Sequence, residues 1–109
     1  MSYNQKLENR LNQLISHRQD FHKQKMFGGV GFLMRGNMCF GIWKDSLIVR
    51  AGEEQAQKAL KAKWTKPFDI TGRAMKGWFM VKPNGMKTKA SLVKWVDQAI
   101  SFVETLPRK

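Results

Sequence analysis

Residues 25–50 constrain this chain more than any other stretch. From Lys25-Met26-Phe27-Gly28-Gly29-Val30-Gly31-Phe32 through Leu47-Ile48-Val49-Arg50 the segment is largely apolar, lacks histidine and carries Asp45 as its one acid. Gly36-Asn37 separates Phe32-Leu33-Met34 from Met38-Cys39-Phe40, and residues of this kind tolerate the positive φ of a tight hairpin. Lys44-Asp45 separates Phe40-Gly41-Ile42-Trp43 from Ser46-Leu47-Ile48-Val49 in the same way. The segment therefore predicts three consecutive strands forming a β-meander. Both parities of these strands are apolar: Met38, Phe40 and Ile42 alternate with Cys39, Gly41 and Trp43. A sheet with one wet face alternates apolar with polar. Both faces are thus expected to be covered, chiefly within the chain, with a second copy or another protein as the alternative cover.

Helical periodicity flanks the meander. Tyr3, Leu7, Leu11, Leu14 and Ile15 recur on one face of a first helix, followed by a connector containing Asp20, Phe21 and His22. Glu53 to Ala62 predicts a second, shorter helix whose acids stand first and whose lysines stand last, as the helix dipole favours. Residues 64–76 are irregular, with Phe68-Asp69-Ile70 as a candidate short strand. Gly77 to Lys82 predicts a firmer strand, closed by the turn Pro83-Asn84-Gly85. In the last helix Leu92, Trp95, Val96, Ala99, Phe102, Val103 and Leu106 share one face, with Thr88 as N-cap and Pro107 beyond its end. The order α-β-β-β-α-β(β)-α predicts a two-layer α+β fold, a mainly antiparallel sheet packed by helices, in a single domain spanning 1–109.

Charge is the second strong feature. Twenty Lys and Arg against eight Asp and Glu give a net charge of +12. Between Gln55 and Val96 stand ten basic residues and one acid, Asp69. Such a bias favours phosphate-bearing or acidic partners and makes their association depend on salt. The candidate nucleic-acid or anion-binding residues are Lys58, Lys61, Lys63, Trp64, Lys66, Arg73, Lys76, Lys87, Lys89 and Lys94. Lys63-Trp64, Lys66-Pro67-Phe68 and Lys76-Gly77-Trp78-Phe79 set cations beside rings, the combination that stacks bases and tracks phosphates. Trp64 is the candidate for an exposed ring, whereas Trp95 belongs to a buried helix face. At least one of Trp78 and Phe79 should face the core. Lys87 and Lys89 flank the start of the last helix, where free amides attract anions.

Catalytic patterns are missing from the sequence. Gly28-Gly29-Val30-Gly31 has the spacing of neither a dinucleotide fingerprint nor a P-loop, and reads as a bulge or a close backbone approach. His17 and His22 have no cysteine or spaced acid to make a metal site. The serines fit no nucleophile motif. Cys39 is a lone cysteine in a predicted strand, a small buried hydrophobe suited to a reducing compartment. No signal-like apolar run opens the chain, and no apolar run reaches the roughly 20 residues of a membrane span. The expectation is a cytoplasmic, non-enzymatic protein without cofactor, metal or membrane attachment.

Several of these residues carry a resemblance. Met26-Phe27-Gly28-Gly29-Val30-Gly31, the hairpin through Gly36-Asn37-Met38 and the strand Leu47-Ile48-Val49-Arg50 resemble the opening of the TfoX (Sxy) N-terminal domain. Gly72-Arg73-Ala74-Met75-Lys76-Gly77-Trp78, with a last helix bearing Leu92 and Trp95-Val96, is similar to short single-domain members. The resemblance implies an α/β layer with an antiparallel sheet, and a regulatory or adaptor module that meets a protein partner of the transcriptional machinery, as the competence regulators of that family do. Those full-length regulators carry a second, C-terminal domain with no counterpart in this sequence, so module identity transfers further than the competence role. Direct nucleic-acid binding through Lys58–Lys94 is the alternative function, a small enzyme a further one, and monomer or homodimer the expected state.

Overall fold

A computed structural model of the chain describes residues 3–26, 28–70 and 72–108. Phe27 of the glycine-rich motif lies outside the described residues. Helix α1 spans Gln5–Leu14, and Asn4 caps it by accepting a hydrogen bond from the Leu7 amide at 3.1 Å. Four strands follow, β1 (Phe21–Met26), β2 (Gly29–Met34), β3 (Asn37–Trp43) and β4 (Ser46–Arg50). Then come α2 (Glu53–Ala59), β5 (Thr65–Pro67), β6 (Trp78–Val81), a 3-10 turn over Pro83–Met86, and α3 (Lys89–Val103). The six strands make one antiparallel sheet in the order β1-β2-β3-β4-β6-β5. The expected two-layer α+β architecture holds.

Three expectations need correction. The connector around Phe21 and His22 is strand β1, so four strands precede α2. Its interior residues His22, Lys23, Gln24 and Lys25 are all exposed, which removes the apolar alternation that would announce it. The short strand after α2 is Thr65–Pro67, one step before Phe68-Asp69-Ile70; as an edge strand it accommodates a proline that has no amide to donate. The first hairpin turns on Arg35-Gly36, both at positive φ (54° and 83°), and Asn37 is already paired with Met34. Asn37 is buried, and its side-chain amide donates to the Pro107 carbonyl at 2.9 Å, anchoring the chain beyond α3. Lys44-Asp45 forms the second hairpin as expected, because Trp43 pairs with Ser46.

All three helices lie on one face of the sheet. Their buried residues, Leu7, Leu11, Ala56, Ala59, Leu92, Trp95, Val96, Ala99 and Val103, join one cluster with Val30, Phe32, Phe40, Ile42, Leu47, Val49, Phe79 and Val81. Aromatic rings fill its centre. Phe32 and Phe40 stack at 4.9 Å, and Phe79 meets Trp95 edge-on at 5.5 Å. Thr88 caps α3, its hydroxyl accepting from the Ser91 amide at 3.0 Å. An irregularity in the β2–β3 register at Phe32/Leu33 leaves Cys39 without a partner residue; the thiol joins the same core, fully buried. Burial pushes its pKa up to about 12, which keeps it a neutral hydrophobe.

Candidate interaction surfaces

The opposite face of the sheet has a different composition. Register places Met26, Gly31, Leu33, Met38, Gly41, Trp43, Ile48, Trp78 and Met80 on it, together with His22, Gln24, Ser46, Arg50 and Lys66. None of the described helices packs there. Cover comes from the segment after β5, which folds Phe68 against Ile48 and Met80, with Ile70, Met38, Trp43 and Trp78 packed around them. Phe68 and Trp78 meet at 5.4 Å. The expectation that both faces are covered within the chain is thus met on one face by helices and on the other only in part, by this short segment.

The uncovered part has a floor of glycine. Gly31 pairs directly with Gly41, and the thioether ends of Met26 and Met38 fold over them: a Cβ on Gly31 would lie 2.8 Å from the Met26 methyl, and one on Gly41 3.0 Å from that of Met38. Gly29 answers the expected close backbone approach, since a Cβ there would run into the Ile42 carbonyl. Gly28, at φ 76°, makes the turn between β1 and β2, so the motif spans a hairpin and the start of β2. Flexible thioethers over small residues give a surface that adapts to an apolar partner. The half-buried tryptophans of this face each hold a cation. Lys44 Nζ stands 4.7 Å from the Trp43 ring centre, and the Arg50 guanidinium 5.3 Å from that of Trp78. Arg50 also lies 5.8 Å from the Phe102 ring and donates weakly to the Met38 carbonyl at 3.4 Å, so it is held at the end of β4.

A cleft of about 230 Å³ adjoins this face, between α2 and the chain entering β6. Leu60 and Met75 line it with Ala56, Pro67 and Trp78. They are two of the three large hydrophobic residues that stand more than a third exposed among the described residues, the other being Trp64. Glu53 and Lys76 sit at its polar margin.

The nine cationic candidates and Trp64 are spread over several elements. Lys58 lies on α2 and pairs with Glu54 at 3.7 Å; Lys61 follows that helix, exposed. Arg73 and Lys76 are exposed on the 68–77 segment. Lys87 and Lys89 flank Thr88, whose hydroxyl already takes one amide of the helix start, while Arg10 donates to the nearby Met86 and Thr88 carbonyls at 2.7 and 3.3 Å. Lys94 rests 4.6 Å from the Trp95 ring and shares an open hollow with Asp97. Lys63, Trp64 and Lys66 do come together, beside Lys82. Lys82 is absent from the candidate list although it is the residue that closes β6 before Pro83, a position that aims it at the strand end. Lys44, Arg50, Met26 and Met38 are also missing from that list; the apolar two-sided strands were the signal that could have found them.

Among the described residues no three of His, Cys, Asp and Glu come close enough to hold a metal ion. His17 and His22 are both exposed. The best-defined polar cluster lies at the helix side, where Asp20 accepts from Arg18 Nε and Nη2 at 3.0 and 2.9 Å. That bidentate pairing holds the Asp20 carboxyl below its ordinary range and raises Arg18. Arg35 and Glu104 stand within 3.6 and 3.9 Å of the pair, linking the first hairpin and the end of α3. It is a structural clamp.

A family model for the TfoX N-terminal domain matches residues 13–103. The chain belongs to that family. The match takes in every described strand together with α2 and α3, so both sheet faces are part of the TfoX N-terminal domain itself. Nothing among curated proteins or solved structures matches the chain. No helix among the described residues is long and apolar enough to cross a membrane.

Proposed function

We propose that this TfoX N-terminal domain is a non-enzymatic, cytoplasmic regulatory adaptor that acts by binding another protein on the sheet face its helices leave open. The observation that carries this reading is the face itself. Met26 and Met38 lie over a glycine floor, Trp43 and Trp78 stand half-buried beside them, and among the described residues the segment from Phe68 to Ile70 supplies the cover. An apolar surface of this kind is costly to leave in water and marks an interaction site. The occupant we assign is an acidic protein segment with apolar anchors. Lys44 and Arg50 sit on the two tryptophans and Lys66 faces the same way, so a carboxylate-bearing partner would meet charge complementarity at the rim. A net charge of +12 works against a second copy as the occupant. The family's competence regulators work with a protein partner of the transcriptional machinery, which supports the same class of occupant.

Leu33→Glu and Met38→Glu put charge on the open face without entering the helix-side core. Nuclease-treated lysate of the source cells should yield a stoichiometric, acidic protein on the immobilised wild-type chain and lose it on either variant. Retention of the same protein by both variants would reject this face, and light scattering that shows a stable dimer of the wild type would assign the face to a second copy.

A further inference from the structure

Trp64 is held in a backbone conformation that a bulky residue avoids. Its φ is 73°, in the left-handed region where a Cβ crowds the following carbonyl, yet its side chain stands 38 % exposed. Its neighbours over-determine this geometry. The Thr65 hydroxyl donates to the Ala59 and Ala62 carbonyls at 2.8 and 2.9 Å, closing the end of α2. The Trp64 carbonyl accepts the Lys82 amide at 2.7 Å, and Gly85 packs close enough that a Cβ there would lie 3.1 Å from that of Trp64. Glycine would satisfy this turn without strain. A large indole in its place, presented to solvent, is better explained by what the ring can touch than by folding.

The ring opens on a shallow hollow of about 450 Å³ at the ends of β4, β5 and β6. Lys66, Lys82 and Asn84 line it from one side, Asp45 and Ser46 of the second hairpin from the other. Lys63 Nζ stands 5.0 Å from the indole centre. An aromatic face with ammonium groups around it matches the chemistry of an unstacked base flanked by phosphates. A duplex offers no free base face, and an acidic peptide would use the lysines but not the ring.

We propose that the Trp64 hollow is a binding site for single-stranded nucleic acid. One base stacks on Trp64, Lys66 and Lys82 take the flanking phosphates, and Asn84 offers amide hydrogen bonds. The site lies apart from the glycine floor of the open face but shares Lys66 with its rim, so a protein docked there would compete with the strand for that lysine. Asp45, the one acid in the lining, opposes the phosphates and limits affinity.

The test is fluorescence anisotropy of the full chain with labelled ten-nucleotide single strands of mixed sequence, at about 50 and 200 mM salt. Wild type should bind at the lower salt. The Lys66→Ala/Lys82→Ala double variant should flatten the log–log salt slope by about 1.4, two phosphate contacts' worth on a single strand. Trp64→Gly removes the ring and also the backbone strain, so its thermal midpoint should equal or exceed that of wild type while binding weakens about tenfold or more. Asp45→Asn should tighten binding. Each of the following would overturn the proposal: no binding at low salt, Trp64→Gly binding within twofold of wild type, a duplex of equal length binding as tightly, or polyglutamate competing as well as an unlabelled strand.

Discussion

The two faces of the six-stranded sheet are built from the same strands and end in opposite states. On the helix side, alternate residues of β2, β3, β4 and β6 meet α1, α2 and α3 and are sealed, with Phe32, Phe40, Val49 and Phe79 fully buried. One residue along each strand, Leu33, Met38 and Trp78 remain partly exposed, while Ile48 and Met80 are sealed beneath Phe68. Side chains alternate between faces along a strand, so the apolar content of neighbouring positions alone does not decide which face is core. The helices decide it: three of them cover one layer, and the irregular segment from β5 to β6 covers part of the other. The difference separates a face that holds the domain together from one that is free to bind.

The largest expected effect measures that separation directly. Phe79→Ala removes a fully buried ring that meets Trp95 edge-on, and should destabilise the fold by about 3–5 kcal/mol in a denaturant titration. Met38→Ala trims a half-buried thioether on the other face and should cost about 1 kcal/mol. Equal losses would mean that the open face is as much a core as the helix side.

Glycine substitutions sharpen the comparison at the second level. A Cβ on Gly29 would run into the Ile42 carbonyl, a backbone atom that cannot yield without breaking the β2–β3 pairing, so Gly29→Ala should cost about 2–3 kcal/mol. At Gly31 the nearest atoms, at 2.8 and 3.2 Å, belong to the free end of Met26. That end is a flexible, half-buried thioether that can swing aside, so Gly31→Ala should change stability by less than about 1 kcal/mol. A large loss at Gly31 would show that the methionines are locked.

This contrast also marks how far the sequence was legible. Helix α3 could be read to its cap, since Thr88 and the face from Leu92 to Val103 obey one period over four turns. Strands β2, β3, β4 and β6 could be read because each is a dense apolar run. Strand β1 escaped because an edge strand pairs on one side only and can expose Lys23, Gln24 and Lys25. Strand β5 escaped because three residues ending in proline carry no periodicity. The two-sided apolar pattern announced an interaction surface, but which side the helices take is a tertiary fact. Lys82 entered the Trp64 hollow only through the pairing of β5 with β6, and the left-handed turn that presents the indole has no signature in a Lys-Trp-Thr sequence.

The smallest expected effect tests the edge of the helix side. Asp20 sits between Arg18 and Arg35, and the Arg18 guanidinium also lies 5.4 Å from the Phe21 ring and 3.9 Å from Glu104. The hydrogen bonds from Arg18 depress the folded carboxyl below its ordinary value of 3.8. A group whose folded pKa is lowered stabilises the fold above the unfolded pKa and loses that contribution as pH falls through the folded one. The clamp should therefore act fully at neutral pH and fade below about pH 4. Both side chains are about a quarter exposed, so screening limits its worth to about 1 kcal/mol. Asp20→Asn should lower stability by that amount at pH 7, with the difference shrinking as pH falls below about 4, and should flatten the acid limb of the stability profile. A deficit that stays constant down the whole acid limb would show that Asp20 acts through packing, because protonation removes the charge that the clamp requires.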